Sequence, residues 1–172
     1  KGLTSAYAPL SGSIISDKVW EVLVRGSDEM GPIGHGWTYS AHPLCAAAGV
    51  ANLELIDKLD LVENAGTVGA HFRKGLADAL AGHAHVGEVR GDGLMAAVEF
   101  VEDKDDRKFF DPSLKVGPQI AAALLERGVI GRAMPEGDIL GFAPPFVLTR
   151  EEADIVAART ADAVEAVMAK LG

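Results

Sequence analysis

Three side chains in this sequence stand among neighbours that could put them to chemical use: the amine of Lys1, the hydroxyl of Thr38 and the guanidinium of Arg132. A lysine amine attacks a carbonyl only when deprotonated, a state that a desolvated site with cationic neighbours can arrange. Lys1 opens the run Lys1-Gly2-Leu3-Thr4-Ser5-Ala6-Tyr7-Ala8-Pro9-Leu10, and on composition alone it reads as an exposed lysine at a chain end. Thr38 closes the stretch from Met30, which holds three glycines and a proline. Such a loop lets backbone donors and a short hydroxyl converge on a phosphate. Without a phosphate, the same residues make a turn in which Thr38 bonds only its own backbone. Arg132 lies in Gly131-Arg132-Ala133-Met134-Pro135, and its planar fork matches a carboxylate with two parallel hydrogen bonds. The plain alternative is a solvated surface arginine.

The elements that must position these groups follow from periodicity and punctuation. Tyr7 to Ser16 is small and apolar, ends in Ile14-Ile15 and is bounded by Gly12 and Asp17, which predicts a short buried strand. Asp17 caps a helix that presents Val19, Trp20, Val22 and Leu23 and stops at Gly26-Ser27-Asp28. Pro43 suits a first helical turn, and the apolar residues from Leu44 to Leu59 continue it. A further helix from Asp60 to Leu80 carries Leu61, Val68, Phe72 and Leu76 at helical spacing, and Gly82 stops it. Extended residues begin at Val86 and run through Gly91-Asp92-Gly93 to Val101, as one strand or as a pair joined at the glycines. Leu114 to Arg127 reads as a helix closed by Gly128, and Val129-Ile130 and Ile139 to Phe142 as two short strands. Thr149 caps the last helix, with Glu151 and Glu152 favoured by its dipole.

Composition excludes several classes of partner. The 172 residues are 48% hydrophobic, enough for a sizeable core, and the formal net charge of -9 gives no basic surface for nucleic acid or an anionic membrane. No run spans a bilayer and no signal peptide opens the chain. The single Cys45 cannot close an internal disulfide, which fits a reducing compartment, the cytoplasm by default. The opening Lys-Gly-Leu-Thr, without an initiator methionine, reads as part of a longer polypeptide. His35 and His42 are seven residues apart but straddle a loop and a helix start with no cysteine or carboxylate at ligand spacing, so no metal site is assigned. Gly91-Asp92-Gly93-Leu94-Met95-Ala96 imitates a dinucleotide fingerprint, yet an extended pattern follows where a pyrophosphate needs a helix N-terminus, and the stretch reads as a hairpin.

The run from Lys1, together with His35-Gly36-Trp37-Thr38-Tyr39-Ser40-Ala41-His42-Pro43-Leu44, resembles the lysine and threonine motifs of class III (omega-type) aminotransferases. The resemblance covers nearly the whole chain. It implies an α/β fold, the PLP-dependent transferase fold type I, with residues 1–58 completing the large cofactor domain and 59–172 forming a small α+β C-terminal domain. It implies pyridoxal 5'-phosphate (PLP) as cofactor, held as a Schiff base by Lys1, which then moves a proton during the reaction. Thr38 would reach the cofactor phosphate of a partner subunit, so a homodimer or larger homo-oligomer is expected. Trp37 would line the cofactor and substrate pocket, although a core tryptophan fits the same residue. Arg132 would turn inward to hold the carboxylate of a keto-acid or amino-acid substrate. The implied reaction is ping-pong transfer of an amino group from an amine or omega-amino acid to a keto acid such as pyruvate. A PLP-dependent aminomutase or racemase reuses the same lysine, and a non-catalytic fragment that needs its partner segment is the alternative outside enzymology. The phosphate loop, the ring-stacking aromatic and the aspartate for the pyridine nitrogen would all precede Lys1.

Overall fold

Apolar residues at helical spacing put Val68, Phe72 and Leu76 on one stripe of helix α3 (Leu61–Ala79), and all three are buried. The stripe packs on helix α5 (Arg150–Leu171), whose inward positions begin with small residues, Ala153 and Ala157, and end with Val164, Val167 and Met168. Small residues bring the helices close: a methyl group placed on Gly75 would lie 3.5 Å from the Ala157 Cβ. In this computed structural model, which describes residues 1–171, these helices belong to the second of two units, Lys1–Leu59 and the segment from Asp60 onward.

The second unit is built on a four-stranded antiparallel sheet in the order β1-β2-β4-β3: β1 (Val86–Asp92), β2 (Met95–Phe100), β3 (Arg132–Ala133) and β4 (Ile139–Phe142). Alternation along β2 buries Ala96, Val98 and Phe100 and exposes Met95, so one sheet face meets the helices. The Phe72 and Phe142 rings meet edge to face, 5.7 Å apart, and join α3 to the sheet. Strands β1 and β2 form a hairpin that turns at Gly93-Leu94, as the glycine pattern predicts, while Gly91 lies within β1 opposite Ala96. Helix α4 (Val116–Glu126) closes this core with Val116, Ile120 and Leu124, each fully buried. Its first turn is tied to the sheet, because the Asp138 Oδ1 accepts from the Gly117 N–H at 2.7 Å. Thr149 and Glu152 form a reciprocal capping box at the start of α5, with N–H to oxygen distances of 2.9 and 3.2 Å.

The first unit holds helix α1 (Asp17–Met30), helix α2 (Pro43–Lys58) and a 3-10 turn at Gly2–Thr4. It contains no strand. Ile14-Ile15, expected in a buried strand, belongs to no strand, and both residues are exposed, Ile14 fully. An apolar extended run becomes a strand only through a hydrogen-bonded neighbour, and this unit supplies none. Helix α1 runs on through Gly26-Ser27-Asp28 and ends at Gly31, whose φ of 90° suits a C-terminal stop. The third strand also falls later than expected, at Arg132–Ala133 instead of Val129-Ile130. The Gly128 and Val129 N–H groups close α4 on the carbonyls of Leu125 and Leu124, a Schellman motif, so Val129 has no amide left for a ladder.

One close approach is decisive for this frame. A Cβ on Gly69 would lie 2.0 Å from the Gly93 carbonyl oxygen at the β1-β2 turn, and Arg73 donates a hydrogen bond to that same oxygen. Gly66, three residues earlier on α3, has nothing within 4 Å of such an atom. Gly69→Ala is therefore expected to cost about 1–3 kcal/mol by overpacking, whereas Gly66→Ala gains about 0.5–1 kcal/mol of helix stability. Urea denaturation midpoints of the two variants check this, and shifts of the same sign would contradict the packing.

Candidate active site

Lys1 stands at the head of the 3-10 turn, and the chain after it doubles back sharply. Ser5 and Ala6 both take left-handed backbone conformations, with φ of 52° and 64°. The Ala6 N–H donates to the Lys1 carbonyl at 2.8 Å, and the buried Thr4 hydroxyl bridges to the backbone of Ala8 as donor and acceptor. A consecutive pair of such residues without glycine is uncommon and persists only where the surroundings fix it.

Lys1 lines a cleft of about 940 Å³ together with Ser11, Trp37, Tyr39, Ser40, His42 and Cys45. Trp37 and Ser40 close a turn by two hydrogen bonds of 2.9 Å: the Trp37 N–H donates to the Ser40 hydroxyl, and the Ser40 N–H to the Trp37 carbonyl. That turn presents the Trp37 and Tyr39 side chains, each 79% exposed, so Trp37 is a cleft residue and not a core one. Thr38, between them, is exposed and lies outside the cleft lining. His42, the residue before α2, has its ring 6.0 Å from that of Tyr39, and its Nδ1 is buried without a hydrogen-bond partner among the described residues. Among the described residues no carboxylate lines the cleft. One amine, two aromatic rings, two serine hydroxyls and an imidazole with an open position therefore face a common space. Such a donor set fits an anionic, ring-bearing cofactor with a carbonyl group, as PLP is.

Arg132 belongs to the second unit, on β3, where it is exposed in a groove of about 690 Å³ with Arg90, Met95, Ile130, Met134 and Phe142. The two guanidiniums differ. Arg90 is held by Glu88 at 2.8 Å and Glu99 at 2.5 Å, and the hydrogen bond to Glu99 raises its affinity for the proton further. Arg132 enters no ion pair among the described residues, so its charge is available to a ligand in a groove whose other lining is mostly apolar, with Arg90 and Asp92 the exceptions. Lys1 and Trp37 thus share one cleft, and Arg132 occupies a separate groove. Sequence reasoning missed Tyr39, Ser40, His42 and Cys45 as cleft residues. The signal was the position of Tyr39, Ser40 and His42 in the decapeptide that already contains Trp37 and Thr38, and of Cys45 directly after it.

The family model for class-III aminotransferases matches residues 1–164, and the chain belongs to this family. Its members are PLP-dependent, and the fold is that of the fold type I transaminases. A diaminobutyrate–2-oxoglutarate transaminase of Halomonas elongata is 59% identical over 167 residues, which is 97% of this chain and 36% of that protein. A solved transaminase from directed evolution by ancestral reconstruction shares 60% identity at a TM-score of 0.93, over 99% of this chain and 37% of that one. The PMP-bound aminotransferase of Vibrio fluvialis is 29% identical at a TM-score of 0.90, with 100% of this chain and 37% of that one covered. The chain thus spans little more than a third of the length of these relatives.

Proposed function

We propose that the protein containing this chain is a PLP-dependent transaminase that moves an amino group from an amine or omega-amino acid to a keto acid in two half-reactions. The observation that carries this reading is the Lys1 amine in a cleft with Trp37, Tyr39 and two serine hydroxyls and without a carboxylate. PLP, when bound, supplies an electron sink for the electrons left on a substrate carbon that loses its proton. The Lys1 amine would hold the cofactor at its carbonyl carbon, give way to the incoming amine, and then carry a proton between substrate and cofactor carbons. Trp37 would wall the pocket and keep water from the reacting atoms. Thr38, exposed beside the cleft and not within it, would donate its hydroxyl to the cofactor phosphate of a partner subunit in a homodimer.

Residues 1–58 would complete a large cofactor domain and 59–172 would form the small C-terminal domain. Two features support that assignment. The first unit buries only Thr4 and Gly49 while Ile14, Trp20, Leu44 and Val50 stay more than half exposed, as expected of a part whose apolar surface the rest of a domain covers. The second unit carries an apolar core of its own. Among acceptors, the name of the Halomonas elongata relative favours 2-oxoglutarate beside pyruvate, and diaminobutyrate is itself an omega-amino acid. No helix among the described residues is long and apolar enough to cross a membrane, and a cytoplasmic location is part of the proposal.

In the full-length protein, Lys1→Ala should abolish turnover and leave the melting temperature close to that of the parent, because only the group that holds the cofactor and moves the proton is lost. Near-normal turnover in that variant would remove Lys1 from the mechanism. Thr38→Ala should weaken cofactor retention by about 1.5–3 kcal/mol, roughly 10- to 150-fold, through loss of a hydrogen bond to a charged group. Equilibrium dialysis against PLP measures it, and unchanged retention would argue against the phosphate contact. Arg132→Ala should raise the KM for pyruvate, 2-oxoglutarate or alanine by roughly 30- to 1000-fold, the equivalent of about 2–4 kcal/mol for a desolvated charge pair. A donor without a carboxylate, such as 1-phenylethylamine, should be nearly unaffected. Single-turnover measurements of each half-reaction separate the two effects, and equal losses for both donors would return Arg132 to a structural role.

A further inference from the structure

We propose that Asn52 is a positioning residue for Lys1: its side-chain amide, donating to the carbonyls of Gly2 and Leu3, fixes the direction from which the lysine amine enters its cleft. The inference rests on the reading of Lys1 as the cofactor-bearing lysine.

The argument begins with the backbone of the turn. A 3-10 segment of three residues cannot satisfy its own carbonyls, and each needs an outside donor. Lys1 O accepts from the Ala6 N–H at 2.8 Å, and Gly2 O from the Ser5 N–H at 3.3 Å. The Asn52 Nδ2 completes the set, at 3.0 Å from Gly2 O and 3.3 Å from Leu3 O. One side chain from helix α2 thereby bridges the two carbonyls that directly follow Lys1, across 50 and 49 residues of sequence.

Helix α2 is shaped to bring that amide into reach. Gly49, one turn before Asn52, is buried against the segment: a Cβ there would lie 2.6 Å from Leu10 Cδ2 and 3.7 Å from the Leu3 carbonyl oxygen. Gly49 and Asn52 therefore face the turn together. Neither residue favours a helix interior, so helix formation does not account for them. Their common effect is a close, hydrogen-bonded seat for the residues after Lys1. The seat also bears on Ser5 and Ala6, whose left-handed conformations need surroundings that determine them. A lysine side chain has four rotatable bonds, so the position of its amine is set first by where its Cα is held. A displacement of about 1 Å at a reacting group can cost on the order of 100-fold in rate.

The test uses full-length holoenzyme carrying Asn52→Asp, which keeps the shape of the side chain and turns an oxygen toward the two carbonyls. Asn52→Leu, of similar size and a better helix former, carries the comparison if the first variant does not fold. Each is expected to lower kcat by roughly 10- to 100-fold with KM changed by less than about twofold. The pH midpoint of the cofactor's visible absorption should shift as well, because it reports the surroundings of the lysine nitrogen, and the melting temperature should stay near the parent value. An unchanged kcat and pH midpoint, or a loss of kcat that only tracks the folded fraction, would overturn the proposal. Borohydride reduction of the parent holoenzyme followed by peptide mapping separates this from the underlying reading. Label on a lysine other than Lys1 removes both; label on Lys1, with variants that match the parent in kcat and absorption, removes the positioning role alone.

Discussion

A primary amine at the end of a flexible side chain is only as well aimed as the backbone that bears it, and in the first unit the backbone after Lys1 is held by contacts from elsewhere. The residues after Lys1 have almost no regular structure with which to hold themselves, only one short 3-10 turn and a left-handed reversal at Ser5 and Ala6. Their order comes from outside the segment: from the buried Thr4 hydroxyl folding the chain onto Ala8, and from helix α2 approaching closely enough at Gly49 to place an amide on two carbonyls. Backbone polar groups in such a turn must find partners or be hydrated, and here most of the partners are built in. The start of α2 serves the same cleft, since His42 and Cys45 flank its first turn and the Trp37–Ser40 turn leads directly into it. One helix thus seats the residues after the lysine and contributes to the lining of the same cleft.

The second unit carries Arg132 at the margin of its sheet. Its rigidity lies in β2 and β4, paired from Ala96 with Phe142 to Glu99 with Ile139 and covered by Phe72, Ile120 and Leu124. Toward β3 the order thins out. That strand is two residues long and lies at the edge of the sheet, and Arg132 is exposed there. Short edge strands limit unwanted pairing with other chains, and a side chain on one has open space in which to change rotamer. Arg90, on β1 in the same groove, is by contrast fastened to Glu88 and Glu99.

What the sequence discloses and what it hides divide along physical lines. Helices α2 to α5 are legible because their apolar periodicity and their stops, Gly82 and Gly128, are local properties. The β1-β2 hairpin is legible for the same reason: extended residues on both sides of paired glycines leave few other outcomes. Ile14-Ile15 misleads because an apolar pair bounded by turn formers specifies extension and says nothing about a partner. Val129-Ile130 misleads because a Schellman closure consumes the amide that a strand would need, and that geometry shows itself only once the helix end is built. The site divides in the same way. Lys1, Trp37, Thr38 and Arg132 stand out through residue type and motif. Asn52 does not, since a lone asparagine within a helical pattern reads as a surface residue until a turn from the other end of the unit is seen to rest on it.

In the roles proposed for them, Lys1 and Arg132 call for opposite kinds of support. A lysine that exchanges a covalent partner and relays a proton needs a fixed origin, because both steps demand approach along a defined direction. An arginine that admits substrates with a carboxylate and tolerates donors without one needs freedom, because a guanidinium locked in place would leave its charge desolvated whenever the carboxylate is missing. Lys1 is followed by a turn strapped at several backbone atoms. Arg132 has no acidic partner among the described residues and projects from the shortest strand of the sheet. Exchanging these supports would harm both roles: a loosened Lys1 would lose its line of approach, and a salt-bridged Arg132 would have to break an ion pair before it could recognise anything. The contrast between a strapped segment after Lys1 and a guanidinium without an acidic partner among the described residues matches the two roles proposed for these side chains.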